Sequence, residues 1–428
     1  MHKAVTTIKI DGVVADSYET KFGIRWFTWT ADKGFFLNGE HLYLLGANVH
    51  QDQAGWGDAV TNAAAYRDVK MMKDAGFNCI RGSHYPHDPA FTEACDELGI
   101  IYFSENAFWG MGGCSGEQNM WINGSTPSSC YPSVLSDQPY FNKSVLDQLK
   151  EEIKIHRNRA SIAAWSMCNE PFFTDNSTVT AMKSLLNVAT DSSKVWDPSR
   201  AVAIGGSQRQ SIDKLGKGQI AFYNGDGASQ SGFQNPGVPN MVSEYGSTTT
   251  FRPGSFIPGW GDVGDGMTNR PVWRSGQVIW CGFDHGTVGG TGLATMGIVD
   301  YFRLPKRMYY WYKQAYAQGI SSPVAPTWPA SGTAAKLKVE SSSTTISAPD
   351  GTDDVQIIVS VLDKNGTRIS NNFKLYPVPV NFLQEQQLIL QHHLMLRRQI
   401  FLFATDNVQL RSDPIMPAQR LSKQLPLD

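Results

Sequence analysis

The sequence predicts an α/β fold: a (β/α)8 TIM barrel flanked by β-sandwich fragments. Three observations carry this. From about residue 36 to residue 320, short apolar runs alternate with stretches of helical spacing, as a parallel α/β sheet requires. Eight such runs follow in order, and eight parallel strands close a barrel of about 250 residues. Two of the runs stop at a glutamate, in Trp165-Ser166-Met167-Cys168-Asn169-Glu170-Pro171 and in Val242-Ser243-Glu244-Tyr245-Gly246.

The elements are justified in order. Residues 1–35 read as two short strands, the end of an immunoglobulin-like β-sandwich. A lone hairpin is marginal in water, so more of that sandwich is expected upstream. Residues 41–48, with Leu42, Leu44 and Leu45, form the first barrel strand. Ala65, Val69 and Met72 recur at helical spacing, and Gly76 is the stop. Residues 77–80 are the second strand. Asp88 and Pro89 open the next helix as N-cap and first residue. Its apolar face is Phe91, Ala94, Cys95 and Leu98, and Gly99 ends it. Residues 100–103 are the third strand. Ser144 with Asp147 suggests a capping box for a helix carrying Leu146, Leu149 and Ile153. Residues 162–167 make the fourth strand, and 201–204, 220–223, 241–243 and 278–280 the remaining four. Residues 321–372 read as a Pro/Ser/Gly linker and a partial β-sandwich, with strand alternation at 337–340 and 355–361. Residues 373–428 show no period of 2 or 3.6 and are expected to be poorly ordered.

Composition excludes several classes. The net charge is −2, so nothing draws the chain to nucleic acid or an anionic membrane. No apolar run approaches the ~20 residues of a membrane span. The N-terminus does not read as a signal peptide, yet sequons at Asn123, Asn142, Asn176 and Asn365 predict a secreted full-length form. Of six cysteines, Cys114 and Cys130 share a polar loop and are the disulfide candidates. Cys95 and Cys168 read as buried thiols. No Cys/His spacing reads as a zinc site, and no cofactor is called for.

Two carboxylates at the ends of two strands are what retaining glycoside hydrolysis needs: one protonates the leaving oxygen, the other attacks the anomeric carbon. One such glutamate alone would read as a helix cap or surface ion pair. Two of them, with Asn169 directly before Glu170, point to chemistry at the C-terminal ends of barrel strands. The expected partner is therefore an oligosaccharide or simple glycoside, with no nucleic acid and no membrane.

The chain resembles glycoside hydrolase family 2, the β-galactosidase, β-glucuronidase and β-mannosidase group. The resemblance rests on Phe36-Leu37-Asn38-Gly39-Glu40, Gly46-Ala47-Asn48-Val49-His50, Asn78-Cys79-Ile80-Arg81-Gly82-Ser83-His84-Tyr85-Pro86, both glutamate motifs, Gly297-Ile298-Val299-Asp300 and Pro305-Lys306. It implies that Glu170 is the acid/base and Glu244 the nucleophile, about 5–5.5 Å apart. It also implies that Asn169 bonds the sugar 2-hydroxyl and that His50 and His84 line the subsite. Arg81 steadies the nucleophile and holds its pKa down, and Trp280 is an aromatic platform with a cis peptide to Cys281. Asp52, Trp56 and Asp284 are weaker candidates for sugar contacts. The chain departs from the family after strand six, where Tyr223 from a shifted position is the candidate to hydrogen-bond Glu244. It departs again near Met296, where no lysine is available to hold a uronate, so a neutral β-galactoside is the expected substrate. Three other readings remain open here: an inactive sugar-binding remnant, a glycosidase of the same family acting on another neutral sugar such as a galactofuranoside or mannoside, and a metal-dependent hydrolase using His50, His84 and His87.

Overall fold

The computed structural model describes residues 1–109, 130–171, 174, 176–210, 216–246, 252, 263–264, 266–286, 293–325, 332–346 and 351–369. The chain forms two compact units, Met1–Pro326 with Ile346–Asp354, and Thr327–Thr345 with Val355–Asp428.

In the first unit eight parallel strands close a barrel: β1 (Leu44–Val49), β2 (Cys79–Gly82), β3 (Ile101–Glu105), β4 (Ile162–Ser166), β5 (Ala201–Ile204), β6 (Ile220–Asn224), β7 (Asn240–Gly246) and β8 (Gly276–Trp280). The last returns to the first through Gly276 opposite Leu44. Helices α1 (Asn62–Asp74), α2 (Pro89–Leu98), α3 (Gln138–His156) and α4 (Val179–Trp196) follow the first four strands. The local signals in α2 act as read: the Asp88 carboxylate accepts from Ala90 N at 2.8 Å, and Gly99 is left-handed at φ 67°. Helix α3 starts at Gln138, before the expected cap. Pro139 fits its first turn, which leaves Ser144 and Asp147 well inside the helix.

Strand parity sorts the core, because alternate side chains point to opposite faces. One set fills the lower barrel: Leu44, Cys79, Ile101, Phe103, Ala164, Ala203, Ile220, Phe222, Met241 and Val278. The opposite set, including Val49, Ile80, Tyr102, Trp165 and Tyr223, joins the apolar residues of the helices. A three-stranded antiparallel sheet, Phe27–Thr30, Gly34–Leu37 and Glu40–His41, packs on the lower set. Trp29 lies 4.7 Å from Phe35 and 6.1 Å from Phe103. The expected boundary at residue 35 therefore falls inside a sheet that packs with the barrel. Upstream, His2–Ile10 and Val13–Phe22 make one long, largely exposed hairpin rather than two short strands. In the second unit Lys336–Ser341 pairs antiparallel with Ile357–Leu362, close to the alternation read there. Residues 373–428 and Cys114 lie outside the described residues; Cys95 and Cys168 are buried. Among the described residues no helix is long and apolar enough to cross a membrane.

Candidate active site

Above the apolar layer the inward positions turn polar. They carry Asn48 on β1, Arg81 on β2, Glu105 on β3, Ser166 on β4, Asn224 on β6 and Ser243 on β7, all buried. Each lies two residues past an apolar inward residue, except Asn48, which lies four past Leu44. Buried polar groups are tolerable only when hydrogen-bonded, and these bond one another.

Arg81 is the hub and is fully buried. Its Nη1 donates to Glu244 Oε1 at 2.8 Å and to Asn48 Oδ1 at 3.0 Å, and its Nη2 donates to Asn169 Oδ1 at 2.9 Å. Its Nε and Nη2 also grip Glu105, at 3.0 and 2.8 Å to Oε2. Asn48 in turn donates to the carbonyl oxygens of Ser243 and Ile279. One guanidinium thus links β2 to the ends of β3, β4 and β7, using the planar donor fork that only arginine offers.

Glu170 lies four residues past the end of β4, is 8% exposed, and has φ 45°. Left-handed backbone is uncommon outside glycine and clusters at functional sites. Its Oε1 accepts from Asn224 Nδ2 at 2.6 Å, and Asn224 Oδ1 accepts from Ser243 Oγ at 3.1 Å. Gly206 passes so close that a Cβ there would stand 2.6 Å from Glu170 Cα. Glu244 sits within β7, not after it, where pairing with β8 slips between Val242 and Tyr245. Such a bulge re-aims a side chain, here toward Arg81.

Aromatic rings form one wall. His84 stacks on Trp280 at 5.1 Å and 6°, and its Nε2 lies 3.8 Å from Glu244 Oε1. His50 meets Trp280 edge-on at 5.4 Å, and its Nδ1 lies 3.2 Å from Tyr85 Oη. Trp109 and His285 complete the group, 5.6 Å from His84 and 4.2 Å from His50. Burial, with the neighbouring imidazoles, holds His50 well below the ordinary histidine range. Both the expected Trp280–Cys281 cis peptide and an unexpected one at Ser83–His84 are present.

The electrostatics correct one expectation. Arg81 pulls Glu244 down as expected, but burial is the larger effect and leaves the carboxyl raised to about 8, with Glu170 pushing it up as well. The reason is that burial removes the carboxylate from water, and this outweighs the pull of the single guanidinium.

The remaining expected residues are placed as follows. Tyr223 does not reach Glu244. Parity turns its ring outward onto Phe233 at 4.6 Å, and its hydroxyl faces Asn240 Oδ1 at 3.4 Å. Asp52 accepts from Tyr301 Oη and Gly286 N, joining two loops. Asp284 is buried against Lys306 Nζ at 2.6 Å, and Trp56 is exposed. The His87 ring packs on Phe91 with Nε2 facing Ser83 O, and no metal-binding group occurs among the described residues. Sequence reasoning missed Asn48, Glu105, Trp109, Asn224 and His285 as site residues. Glu105 carried the signal used for the other two, an apolar strand ending at a glutamate.

The fold and the site define a (β/α)8 barrel with paired glutamates at strand ends, set in a cage around one arginine. The chain belongs to glycosyl hydrolases family 2, whose TIM barrel domain matches residues 30–258. It is similar to a β-glucuronidase of Bacteroides fragilis, 28% identical over 351 residues, which are 73% of this chain and 47% of that protein. It is also similar to the β-galactosidase BoGH2A of Bacteroides ovatus, 25% identical over 400 residues, 77% of this chain and 45% of that protein. The crystal structure of a Bacteroides uniformis β-glucuronidase shares the fold, with a TM-score of 0.62 at 23% identity, covering 79% of this chain and 44% of that one. The chain spans less than half the length of these relatives.

Proposed function

We propose that the chain is the catalytic part of a retaining exo-β-glycosidase that removes terminal, non-reducing neutral sugars of the β-D-galactosyl type. The observation that carries the reading is Arg81, which touches both Asn169, beside Glu170, and Glu244. In this reading Glu170 protonates the departing glycosidic oxygen while Glu244 attacks the anomeric carbon. Glu170 then takes a proton from the water that releases the sugar. Burial raises the Glu244 carboxyl, and Arg81, whose Nη1 donates to it at 2.8 Å, favours the ionised form that attack requires.

A neutral sugar is favoured by how the nearby cations are used. Arg81 is bound by Glu105 and Glu244, Lys306 by Asp284 and Arg303 by Asp68. Among these none is reserved for a uronate carboxylate. A β-glucuronide is the second reading, favoured by the name of the Bacteroides fragilis relative.

The test is hydrolysis of aryl β-galactosides, β-mannosides and β-glucuronides by the wild type, Glu244→Gln and Glu170→Ala. Turnover of the galactoside is expected, with a loss of at least about 10⁴-fold in Glu244→Gln. Azide should rescue Glu170→Ala and yield the β-glycosyl azide. Turnover confined to the glucuronide would select the second reading. A folded protein that binds sugars and hydrolyses none would overturn both.

A further inference from the structure

Glu105 has no part in the chemistry above, yet it is fully buried and surrounded by donors. Oε1 receives Arg81 Nη2 at 3.0 Å, and Oε2 receives Arg81 Nε at 3.0 Å, Arg81 Nη2 at 2.8 Å and Ser166 Oγ at 2.8 Å. Guanidinium can only donate, and a carboxylate can only accept. His84 Nδ1 lies 2.8 Å from Oε1 and 3.4 Å from Arg81 Nη2. Burial raises the Glu105 carboxyl while Arg81 and Ser166 pull it down, and with those donors on both of its oxygens the shorter contact takes its hydrogen from the imidazole.

The other ring nitrogen follows from this. His84 is buried beneath Trp280 and beside Arg81, and burial first, then the guanidinium, keeps the ring neutral. A neutral imidazole with Nδ1–H has a bare Nε2. That nitrogen faces Glu244 Oε1 across 3.8 Å. Two acceptors, His84 Nε2 and the Glu244 Oε1 that accepts from Arg81, therefore stand 3.8 Å apart, and a group that donates a hydrogen satisfies them where an acceptor does not.

We infer that Glu105 is a positioning residue: by bonding Nδ1 it locks His84 in the tautomer whose Nε2 accepts a hydrogen from a sugar hydroxyl beside Glu244. The substrate half of this inference rests on the glycosidase reading; the tautomer half does not. Orienting partners of this kind fix ring nitrogens at metal sites by the same physics.

The experiment is imidazole ¹⁵N NMR of the full chain labelled at histidine, with His84 identified by its absence in His84→Gln. The expected wild-type spectrum shows hydrogen on Nδ1 and none on Nε2. In Glu105→Gln the amide can turn its NH2 toward Nδ1, so the hydrogen is expected to move to Nε2. In parallel, aryl glycosides with single ring hydroxyls replaced by fluorine, which cannot donate, are compared. One position should cost the wild type about tenfold in kcat/KM, the scale of one hydrogen bond, and Glu105→Gln much less. A wild-type Nε2 that carries hydrogen overturns the inference, whatever the variant does. So does a Glu105→Gln protein with an unchanged tautomer and only a lower Tm, which would make Glu105 merely structural. If no glycoside is turned over, the glycosidase reading fails by itself and the NMR still decides the tautomer.

Discussion

At the lower end of the barrel, Phe103, Phe222 and Met241 meet Phe35 in a buried apolar layer. Two residues further along the same strands, Glu105, Asn224 and Ser243 meet Arg81 and Asn169 in a hydrogen-bonded cage. Backbone geometry and parity are the same at both ends. Only the side-chain type at the inward position changes, and it converts a core into a site. The apolar end contributes stability through burial and packing. The polar end is costly to bury and persists because nearly every group in it has a partner.

The largest test of this contrast is Arg81→Met, which leaves Glu105 buried without its cation. Loss of one partner of a buried pair should cost roughly 3–5 kcal/mol in urea unfolding, together with most of the activity. A variant of wild-type stability would mean that the cage does not depend on its charge. At the other end, Phe222→Ala should cost a similar ~3–5 kcal/mol through its cavity. The pH profile of kcat/KM of the folded fraction should stay unchanged; a moved profile would show that the two ends are not separable.

The smallest effect compares two acids on opposite faces of β3. Glu105 points inward and has Arg81. Glu152, on α3, accepts from Ser104 Oγ at 2.6 Å on the outer face and pairs with no cation among the described residues; burial raises its carboxyl to about 8. The native state therefore holds this proton more tightly than the unfolded chain, so stability should fall as pH rises from about 4.5 toward 8 and then level off. Glu152→Gln keeps an acceptor for Ser104 and should flatten that slope, by on the order of 1–3 kcal/mol at pH 7. Chemical denaturation across that pH range checks it, and an undiminished slope would assign the dependence elsewhere.

Much of the fold was legible because its signals are local. Asp88, Pro89 and Gly99 bound α2 by backbone chemistry that needs no distant partner, and the apolar runs mark each strand. Glu170 and Glu244 were legible because a charged residue ending an apolar run conflicts with burial unless it has a use. Tyr223 was misjudged for want of parity. With Phe222 inward, Asn224 is the next inward residue and Tyr223 must face the helices, which is where its ring packs. The start of α3 was misplaced because Ser144 and Asp147 mimic a capping box on what became an exposed helix face.

What the sequence determined by itself is therefore the alternation of elements, the closure number and the two strand-end glutamates, since each depends on near neighbours in the chain. What only the tertiary structure decided is the sharing of one arginine among Glu105, Glu244 and Asn169, the His84 contact with Glu105, and the raised pKa of Glu244. These depend on distances between residues far apart in sequence and on burial by the whole barrel. Electrostatic energies vary steeply with both, so no reading along the chain supplies them.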